Sequence, residues 1–369
     1  MNPTDPALQT LIDQVLAAQS AATPLNICGG GSKSFYGEAP LGEPLHTTGL
    51  SGISSYEPSE LVVTARAGTT LIELETVLAE RGQCLPFEPP HFVTHAATGA
   101  TVGGMVAAGL SGPSRASVGA VRDYVLGASM LNGKGEVLSF GGQVMKNVAG
   151  YDVSRLLAGS MGTLGVILEV SLKVLPMAPA TATLRFQLDQ VSALEQLNAW
   201  GALPLPMNAS AWWDGTLLLR LRGALAAVQA AIATLGGDVI EPAHASPFWD
   251  GLRNHTDEYF LKAQAAVAGG SVALWRVSVP QTASPLILPG EQLIEWHGAQ
   301  RWLCTSASAA KVREAAARAG GHASLFMAKH KAGGAFAPLK SPLDRIHRDL
   351  KKAFDPAGVF NPGRLYPGM

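Results

Sequence analysis

Hydrophobic and polar residues follow two different periods along the first half of the chain. Val166–Val174 alternates apolar residues with polar ones, which is typical of a strand with one buried face. Leu8–Ala18 instead places its apolar residues at helical spacing and predicts an amphipathic helix. Leu61–Ala65 predicts a strand by its β-branched residues, and Thr70 stands in capping-box spacing ahead of Glu73, where a helix is expected to begin.

Shorter strands and turns complete the pattern before residue 176. Leu25–Cys28 predicts a strand that runs into a glycine turn. Val125–Leu131 and Val137–Phe140 flank Asn132–Gly135, and a turn of that composition between two apolar runs predicts a hairpin.

Pro176 and Pro179 then punctuate the chain and predict a domain boundary. Beyond them, predicted strands alternate with helices that end at glycines. The predicted strands are Thr181–Leu188, Thr216–Arg222, Asp238–Glu241, Ser271–Val279, Arg301–Thr305 and His322–Phe326. The predicted helices are Ala224–Leu235, one near Phe248–Ala266, Ala309–Ala319 and a basic one over Pro342–Phe354. This order predicts an antiparallel sheet with helices on one face, an α+β arrangement.

The size and composition of the chain favour two lobes and narrow its class. At 369 residues the chain exceeds the size of one growing core, and with 47% hydrophobic residues core burial is not limiting. A formal net charge of −1 and the absence of a basic block exclude an ordinary nucleic-acid binder. The N-terminus has no signal-peptide pattern and no apolar run is long enough to span a membrane, so a cytoplasmic protein is expected.

The sequence contains no recognisable motif for metal binding or hydrolytic catalysis. Cys28, Cys84 and Cys304 lie far apart without a C-x-x-C pair, so we expect no metal site and no iron–sulfur cluster held by this chain alone. There is no G-x-S-x-G, no H-E-x-x-H and no Rossmann fingerprint. The histidines are scattered, and none has a metal-ligand spacing.

Three glycine-rich loops are the strongest candidate chemistry. They are Gly29–Ser34, Thr101–Gly104 with Ala107–Gly109 behind it, and Gly159–Gly165. Glycines allow backbone N–H groups to approach a pyrophosphate closely and converge on it. Singly, each loop could be only a tight turn; together they favour a phosphate-bearing cofactor.

The order of these loops resembles the FAD-binding domain of the vanillyl-alcohol-oxidase and p-cresol-methylhydroxylase (PCMH) superfamily. Within it, the chain is similar to the FAD-binding subunits of bacterial glycolate oxidase. The phrases that carry the resemblance are Tyr56–Leu61, Ala67–Thr70, Pro86–Phe92, Ala100–Gly104, Gly119–Asp123, Val144–Asp152 and Phe354–Arg364. They cover residues 25–176 densely, whereas the middle lobe matches only in broad pattern.

The resemblance implies an α+β, two-lobed fold. It would comprise a PCMH-type FAD-binding domain over 1–178, an α+β cap domain over 179–340, and a segment over 341–369 that returns to the flavin. FAD would be held noncovalently, because Ser32 stands where a histidine that attaches FAD often falls. The residues implied for FAD binding are Gly29, Gly30, Gly31, Ser32, Lys33, Ser34, Pro90, Thr101, Val102, Gly103, Gly104, Gly109, Arg122, Gly159, Gly162, Leu164, Gly165, Val166, Ile167 and Asn361.

Catalytic residues are harder to assign. A cation near N1 and C2=O of an isoalloxazine stabilises its anionic reduced form, and Arg122, Lys146 and Arg364 are candidates for it, each of which could equally be a surface ion pair. His330, between two lysines, could receive a carboxylate. Asp152 could orient its neighbours or cap a helix. No convincing catalytic base is apparent.

The function implied is that of an FAD-binding subunit of a glycolate dehydrogenase complex. The related catalytic subunits carry a His-Gly-Asp-Gly-Asn type motif that this chain lacks. Glycolate oxidation to glyoxylate would therefore involve a related flavin subunit, and electrons would leave through an iron–sulfur subunit, with any membrane attachment through these partners. The alternatives are a self-sufficient FAD-linked oxidase of another small 2-hydroxy acid, a flavin-bearing partner subunit without its own catalysis and, less favoured, a nicotinamide-dependent reductase.

Overall fold

The computed structural model describes residues 5–92, 99–142, 152–331 and 333–369. Its Cα positions group into two compact units. The first unit comprises Met1–Leu110, Ala120–Pro176 and Pro338–Met369, and the second comprises Ser111–Gly119 and Met177–Ala337. The chain therefore enters the second unit briefly at residue 111, long before it does so for good at residue 177.

The secondary structure follows the predicted order closely. The α-helices are α1 (Pro6–Ala21), α2 (Leu71–Ala79), α3 (Val102–Ala108), α4 (Arg115–Val118), α5 (Val121–Tyr124), α6 (Gln190–Gly201), α7 (Leu225–Leu235), α8 (Pro242–Asn254), α9 (Glu258–Ala268), α10 (Ala309–Arg318) and α11 (Leu343–Phe354). The strands are β1 (Leu25–Cys28), β2 (Glu43–His46), β3 (Ile53–Glu57), β4 (Val62–Arg66), β5 (Gln83–Cys84), β6 (Val125–Leu131), β7 (Val137–Gly141), β8 (Val166–Lys173), β9 (Leu175–Pro176), β10 (Ala180–Gln187), β11 (Met207–Trp213), β12 (Thr216–Gly223), β13 (Asp238–Ile240), β14 (Ala273–Ser278), β15 (Glu291–Glu295), β16 (Gln300–Thr305) and β17 (His322–Met327).

A five-stranded antiparallel sheet lies at the centre of the first unit. Its order is β3–β4–β8–β6–β7, so the strand with the clearest alternation, β8, is its middle strand. Val166, Leu168, Val170 and Leu172 on β8 are fully buried. The alternation arises because successive side chains of a strand point to opposite faces, and here one face is the core. The predicted hairpin of β6 and β7 is confirmed.

Helix α1 packs its apolar stripe into the same core. Leu8, Leu11 and Val15 are buried and cluster with β1, β2 and β8. The helix begins where Asp5 accepts a hydrogen bond from the Ala7 amide at 2.9 Å. Helix α2 starts in the same way, because Thr70 Oγ1 accepts from the Glu73 amide, as its spacing predicts.

The last residues of the chain join the small sheet of the first unit. β1 and β2 pair in parallel, and Phe360 adds a further parallel bridge beside Leu25. The Leu25 amide donates to Val359 O at 2.7 Å, and the Asn361 amide donates to Leu25 O at 2.9 Å. The C-terminal segment therefore lies against the strand that carries the first glycine loop.

The second unit is built on an eight-stranded sheet of order β13–β10–β12–β11–β15–β16–β14–β17. Its neighbouring strands are all antiparallel, as predicted. β11 and β15 were not predicted, nor was helix α6. Short apolar runs such as β15 carry too little periodicity to separate a strand from a loop.

The prediction that helices lie on one face of this sheet is wrong. Leu184 and Leu219 share one face and cluster with α6 and α7. Thr183 faces the other way, and its hydroxyl accepts a hydrogen bond from Trp249 of α8 at 2.9 Å. Trp302 lies on the opposite face of the sheet from its neighbour Leu303, and its ring makes an edge-to-face contact with Phe260 of α9. Both faces are therefore covered, because the strands carry large side chains on both sides.

The single helix predicted near Phe248–Ala266 is in fact two helices. α8 ends at His255, whose φ of 56° is left-handed and cannot continue a helix. α9 begins two residues later, where Asp257 accepts from the Phe260 amide at 3.3 Å. The break was missed because a left-handed histidine cap carries no glycine signal.

Candidate functional site

The first glycine loop begins directly after β1 and meets the start of α3. Gly29 lies so close to Thr101 that an added Cβ would sit 2.5 Å from Thr101 Oγ1. Gly31 has a φ of 80°, a conformation that favours glycine. These two positions are glycine for different reasons, one for close approach and one for the turn itself.

The second predicted loop is a helix over most of its length. Thr101 caps α3, accepting from the Gly104 amide at 3.3 Å, and Gly109 ends it with a φ of 65°. Its glycines and alanines serve packing. A Cβ on Gly103 would lie 2.7 Å from Ala67 Cβ, so the helix rests directly on the residue that follows β4.

The third loop lies across the end of α3. The Met161 amide donates to Ala107 O at 2.8 Å, and the Gly159 amide donates to Val106 O at 2.9 Å. A Cβ on Gly109 would meet Gly159 Cα at 2.8 Å. Gly162 similarly abuts Asn361, whose Nδ2 donates to Met161 O. The structure thus brings all three glycine-rich stretches and the C-terminal segment together.

Two adjoining cavities open where these segments meet. The empty volume of the first cavity is about 600 Å³ and that of the second about 390 Å³. Both volumes include space that is open to solvent. Of the predicted FAD-binding residues, those that line the first cavity are Gly29, Gly30, Gly31, Ser32, Lys33, Ser34, Thr101, Gly104 and Asn361. Those that line the second are Gly29, Gly103, Gly104, Gly162, Gly165, Ile167 and Asn361.

The remaining predicted FAD-binding residues line neither cavity. They are Pro90, Val102, Gly109, Arg122, Gly159, Leu164 and Val166. Val102 and Val166 are fully buried, and Val166 belongs to the core beneath β1. Gly109 and Gly159 pack against each other, which supports the cavity wall from behind.

The first cavity is electropositive. Lys33 and Arg364 line it, and among the described residues no aspartate or glutamate does so. Arg364 is 6% exposed, and its Nη2 donates to Ser34 O at 2.8 Å. Burial lowers the pKa of this guanidinium, while nearby Glu38 and Cys28 favour its charged form. An arginine that stays charged in such surroundings favours an anionic ligand.

The candidate catalytic residues are not brought together. Arg122 is exposed on α5, and His330 is exposed in the second unit. Lys146 lies outside the described residues. Asp152 accepts a hydrogen bond from Ser154 Oγ at 3.0 Å and pairs with Arg155, as a residue that orients its neighbours does.

Several lining residues escaped the sequence analysis. Ile27, Cys28, Ala107 and Met161 are examples. Ile27 and Ala107 carry no chemical signal and are present only because their backbone passes the cavity. Burial raises the pKa of the Cys28 thiol. Only its position directly before the glycines could have indicated that it lies in the site.

Comparison with known proteins identifies the family and the cofactor. A family profile described as an FAD binding domain matches residues 7–141. The glycolate oxidase subunit GlcE of Escherichia coli (strain K12) is 46% identical over 358 residues, which cover 97% of each chain. The chain belongs to the GlcE family of glycolate oxidase subunits. FAD is accordingly its cofactor.

Other relatives of the GlcE family match over shorter lengths. The glycolate oxidase subunit GlcD of Bacillus subtilis (strain 168) is 28% identical over 171 residues, 46% of this chain and 34% of that one. A D-lactate dehydrogenase of Archaeoglobus fulgidus is 31% identical over a region that covers 43% of this chain and 35% of the dehydrogenase. The chain therefore shares with these enzymes a region of less than half its length.

Solved structures show the same fold. An alkyldihydroxyacetonephosphate synthase superposes with a TM-score of 0.64 at 16% identity, covering 96% of this chain and 75% of the synthase. The predicted α+β fold with a PCMH-type FAD-binding domain is thereby confirmed.

The residues of the first unit fit FAD. Glycines at 29 and 103 allow the segments that wall the cavities to pack closely, since a Cβ there would meet Thr101 or Ala67, and Arg364 carries a buried guanidinium nitrogen, Nη1, that has no hydrogen-bond partner among the described residues. No helix in the described ranges is both long and apolar enough to cross a membrane.

Proposed function

We propose that this chain is the FAD-binding subunit of a complex that oxidises glycolate to glyoxylate. The observation that carries the proposal is the full-length similarity to subunit GlcE, combined with a cavity walled by the three glycine-rich stretches. FAD is held noncovalently between these stretches and the C-terminal segment. When bound, FAD would allow this chain to take part in electron transfer within the complex.

The residues of the cavity bind and position rather than perform proton transfer. The backbone of Gly29–Gly31 and the hydroxyls of Ser32 and Thr101 donate to anionic oxygens, and glycine lets them approach. Neither Arg122 nor His330 lies on the cavity wall. The abstraction of the substrate proton accordingly belongs to a related flavin subunit, and an iron–sulfur subunit receives the electrons.

The test is reconstitution with and without this chain. The related flavin subunit and the iron–sulfur subunit are coexpressed with this chain, and reduction of an artificial electron acceptor by glycolate is measured, followed by the same assay without this chain. We expect activity only from the full set. The isolated chain should show a flavin spectrum that anaerobic glycolate does not bleach.

Two outcomes contradict the proposal in different ways. Rapid bleaching of the isolated chain by glycolate would show a complete active site and favour the self-sufficient oxidase. Full activity of the other two subunits without this chain would show that this chain is a partner subunit that takes no part in turnover. The matched control is a variant that enlarges a side chain on the wall of both cavities, Ala107→Leu, which reduces the space for FAD while keeping the chain in the assay.

A further inference from the structure

The arginine near the C-terminus, Arg364, lies beside the first glycine loop and lines the first cavity. Arg364 lies beyond the bridge of Phe360 to Leu25, in the segment that packs on β1. Its Nη2 donates to Ser34 O, and the Glu38 amide donates to Arg364 O at 3.1 Å. Both contacts hold the guanidinium at the far end of the first glycine loop.

The guanidinium is incompletely paired. Its Nη1 is buried and has no hydrogen-bond partner among the described residues, and no ion pair joins Arg364 to a carboxylate there. Glu38 influences its charge only at longer range. A buried guanidinium nitrogen without a hydrogen-bond partner is unfavourable, so an anion that reaches Nη1 would stabilise the arrangement.

The surroundings define which anion fits. Arg364 and Lys33 line the same cavity as Gly29–Gly31, and no acidic residue in the described part of the chain lines it. Lys33 Nζ lies 3.2 Å from Ser32 Oγ, so the second cation is also held at this loop. Two cations and a row of glycine amides match a doubly charged diphosphate, and the arginine fork matches two of its oxygens.

We infer that Arg364 binds the diphosphate of FAD and joins the C-terminal segment to the cofactor. The inference deepens the proposed function and rests on it only as far as FAD binding. It makes the ADP half of FAD the part that holds the last residues of the chain in place. Under this inference, Arg364 is not the cation that is expected near N1 and C2=O of the flavin.

The experiment compares ligands with and without the diphosphate on the full-length apoprotein. FAD binding is titrated by the quenching of flavin fluorescence, and ADP and adenosine are used as competitors. The variants are Arg364→Gln, Arg364→Lys and, as a matched control, Arg345→Gln, whose arginine is exposed on α11.

We expect Arg364→Gln to weaken FAD and ADP by roughly 10- to 100-fold, the range for a lost hydrogen bond to a charged group, and adenosine by less than about twofold. Arg364→Lys keeps the charge but not the fork and should fall between. Arg345→Gln should match the parent protein.

Equal weakening of ADP and adenosine would overturn the inference, because it would mark Arg364 as merely structural. So would unchanged FAD affinity, or a parent protein that binds ADP no better than adenosine. If Arg364→Gln fails to fold, the Lys variant decides by the same ratio. Failure of glycolate turnover in the reconstituted complex, with the preference for ADP intact, would instead overturn the proposed function alone.

Discussion

Asn361 and Ile27 are hydrogen-bonded although 334 positions separate them, with the Ile27 amide donating to Asn361 Oδ1 at 2.7 Å. The same side chain donates from Nδ2 to Met161 O at 2.6 Å. Asn361 therefore joins β1, the strand that leads into the first glycine loop, to the third loop. Its φ of 40° is left-handed, a conformation that asparagine tolerates better than most residues.

Removing this amide should loosen the site. Asn361→Ala leaves the Ile27 amide and Met161 O without their partner, so we expect a loss of about 1–3 kcal/mol in the free energy of unfolding. FAD affinity should fall as well, because both loops line the cavity. Urea denaturation of the apoprotein measures the first effect. Asn198→Ala, on α6 in the second unit, should change neither, and an equal effect there would contradict the assignment.

Lys351 and Asp355 form a buried ion pair with Nζ and Oδ2 2.6 Å apart. Lys351 also donates to Thr163 O at 2.8 Å and to Phe360 O at 2.6 Å, which ties α11 to the third loop. Lys351→Met should cost about 3–5 kcal/mol, because it strands a buried carboxylate. The measurement is denaturant unfolding.

The neighbouring lysine provides the control for this pair. Lys352 is exposed, so Lys352→Met should shift the unfolding midpoint hardly at all. The double variant Lys351→Met with Asp355→Asn should recover part of the loss, because the stranded charge is then absent. A double variant as unstable as the single one would show that the backbone contacts of Lys351 matter more than its charge.

The close approach of Gly29 to Thr101 can be tested by size. Gly29→Ala should weaken FAD binding at least tenfold, because its Cβ would lie 2.5 Å from Thr101 Oγ1 and force the two walls apart. The double variant with Thr101→Ala removes that atom, so it should bind FAD no more weakly than Thr101→Ala alone. Gly201→Ala, with no neighbour within 4 Å, should bind FAD like the parent protein. Equal weakening of FAD binding in Gly29→Ala and Gly201→Ala would exclude the steric explanation.

The N-caps of α9 and α6 should respond to pH in opposite directions. Burial raises the pKa of Asp257 to about 6, above its unfolded value of 3.8. The folded state therefore binds the proton of the Asp257 carboxyl more tightly than the unfolded state does. The stability that this proton contributes is lost as the pH rises from about 4 through 6. Asp257→Asn keeps the cap without the charge and should be more stable than the parent above pH 6, by at most about 3 kcal/mol.

The control for Asp257 is Asp189. Hydrogen bonds from the Ser192 amide and hydroxyl lower the pKa of Asp189, so its contribution is present above the unfolded value and is lost as pH falls. Asp189→Asn should therefore lower stability slightly at neutral pH. Thermal unfolding followed from pH 8 down to about pH 3 measures both variants, because the contribution of Asp189 changes only as the pH falls to its unfolded pKa and below. A parallel pH response of the two would contradict the burial of Asp257.

Local sequence signals predicted many of the longer elements to within two or three residues, whereas short ones such as β2, β3, α4 and α5 were not predicted. Thr70 and the alternation of β8 are examples, since a cap and a period of two act between near neighbours. The break at His255 and the strand β15 were missed, because one is a left-handed cap without glycine and the other a run too short to show a period. The same limit applies to the site, where glycines revealed the loops but not Ile27 or Met161.

The sequence by itself determined the strands, the caps, the glycine-rich stretches and the family resemblance, because each depends on residues that are close along the chain. Only the tertiary structure decided that Thr101 meets Gly29, that Ser111–Gly119 belongs with the second unit, and that Arg364 reaches Ser34. The last contact spans 330 positions. No local period encodes such a contact, since it depends on how the strands between the two residues pair and pack.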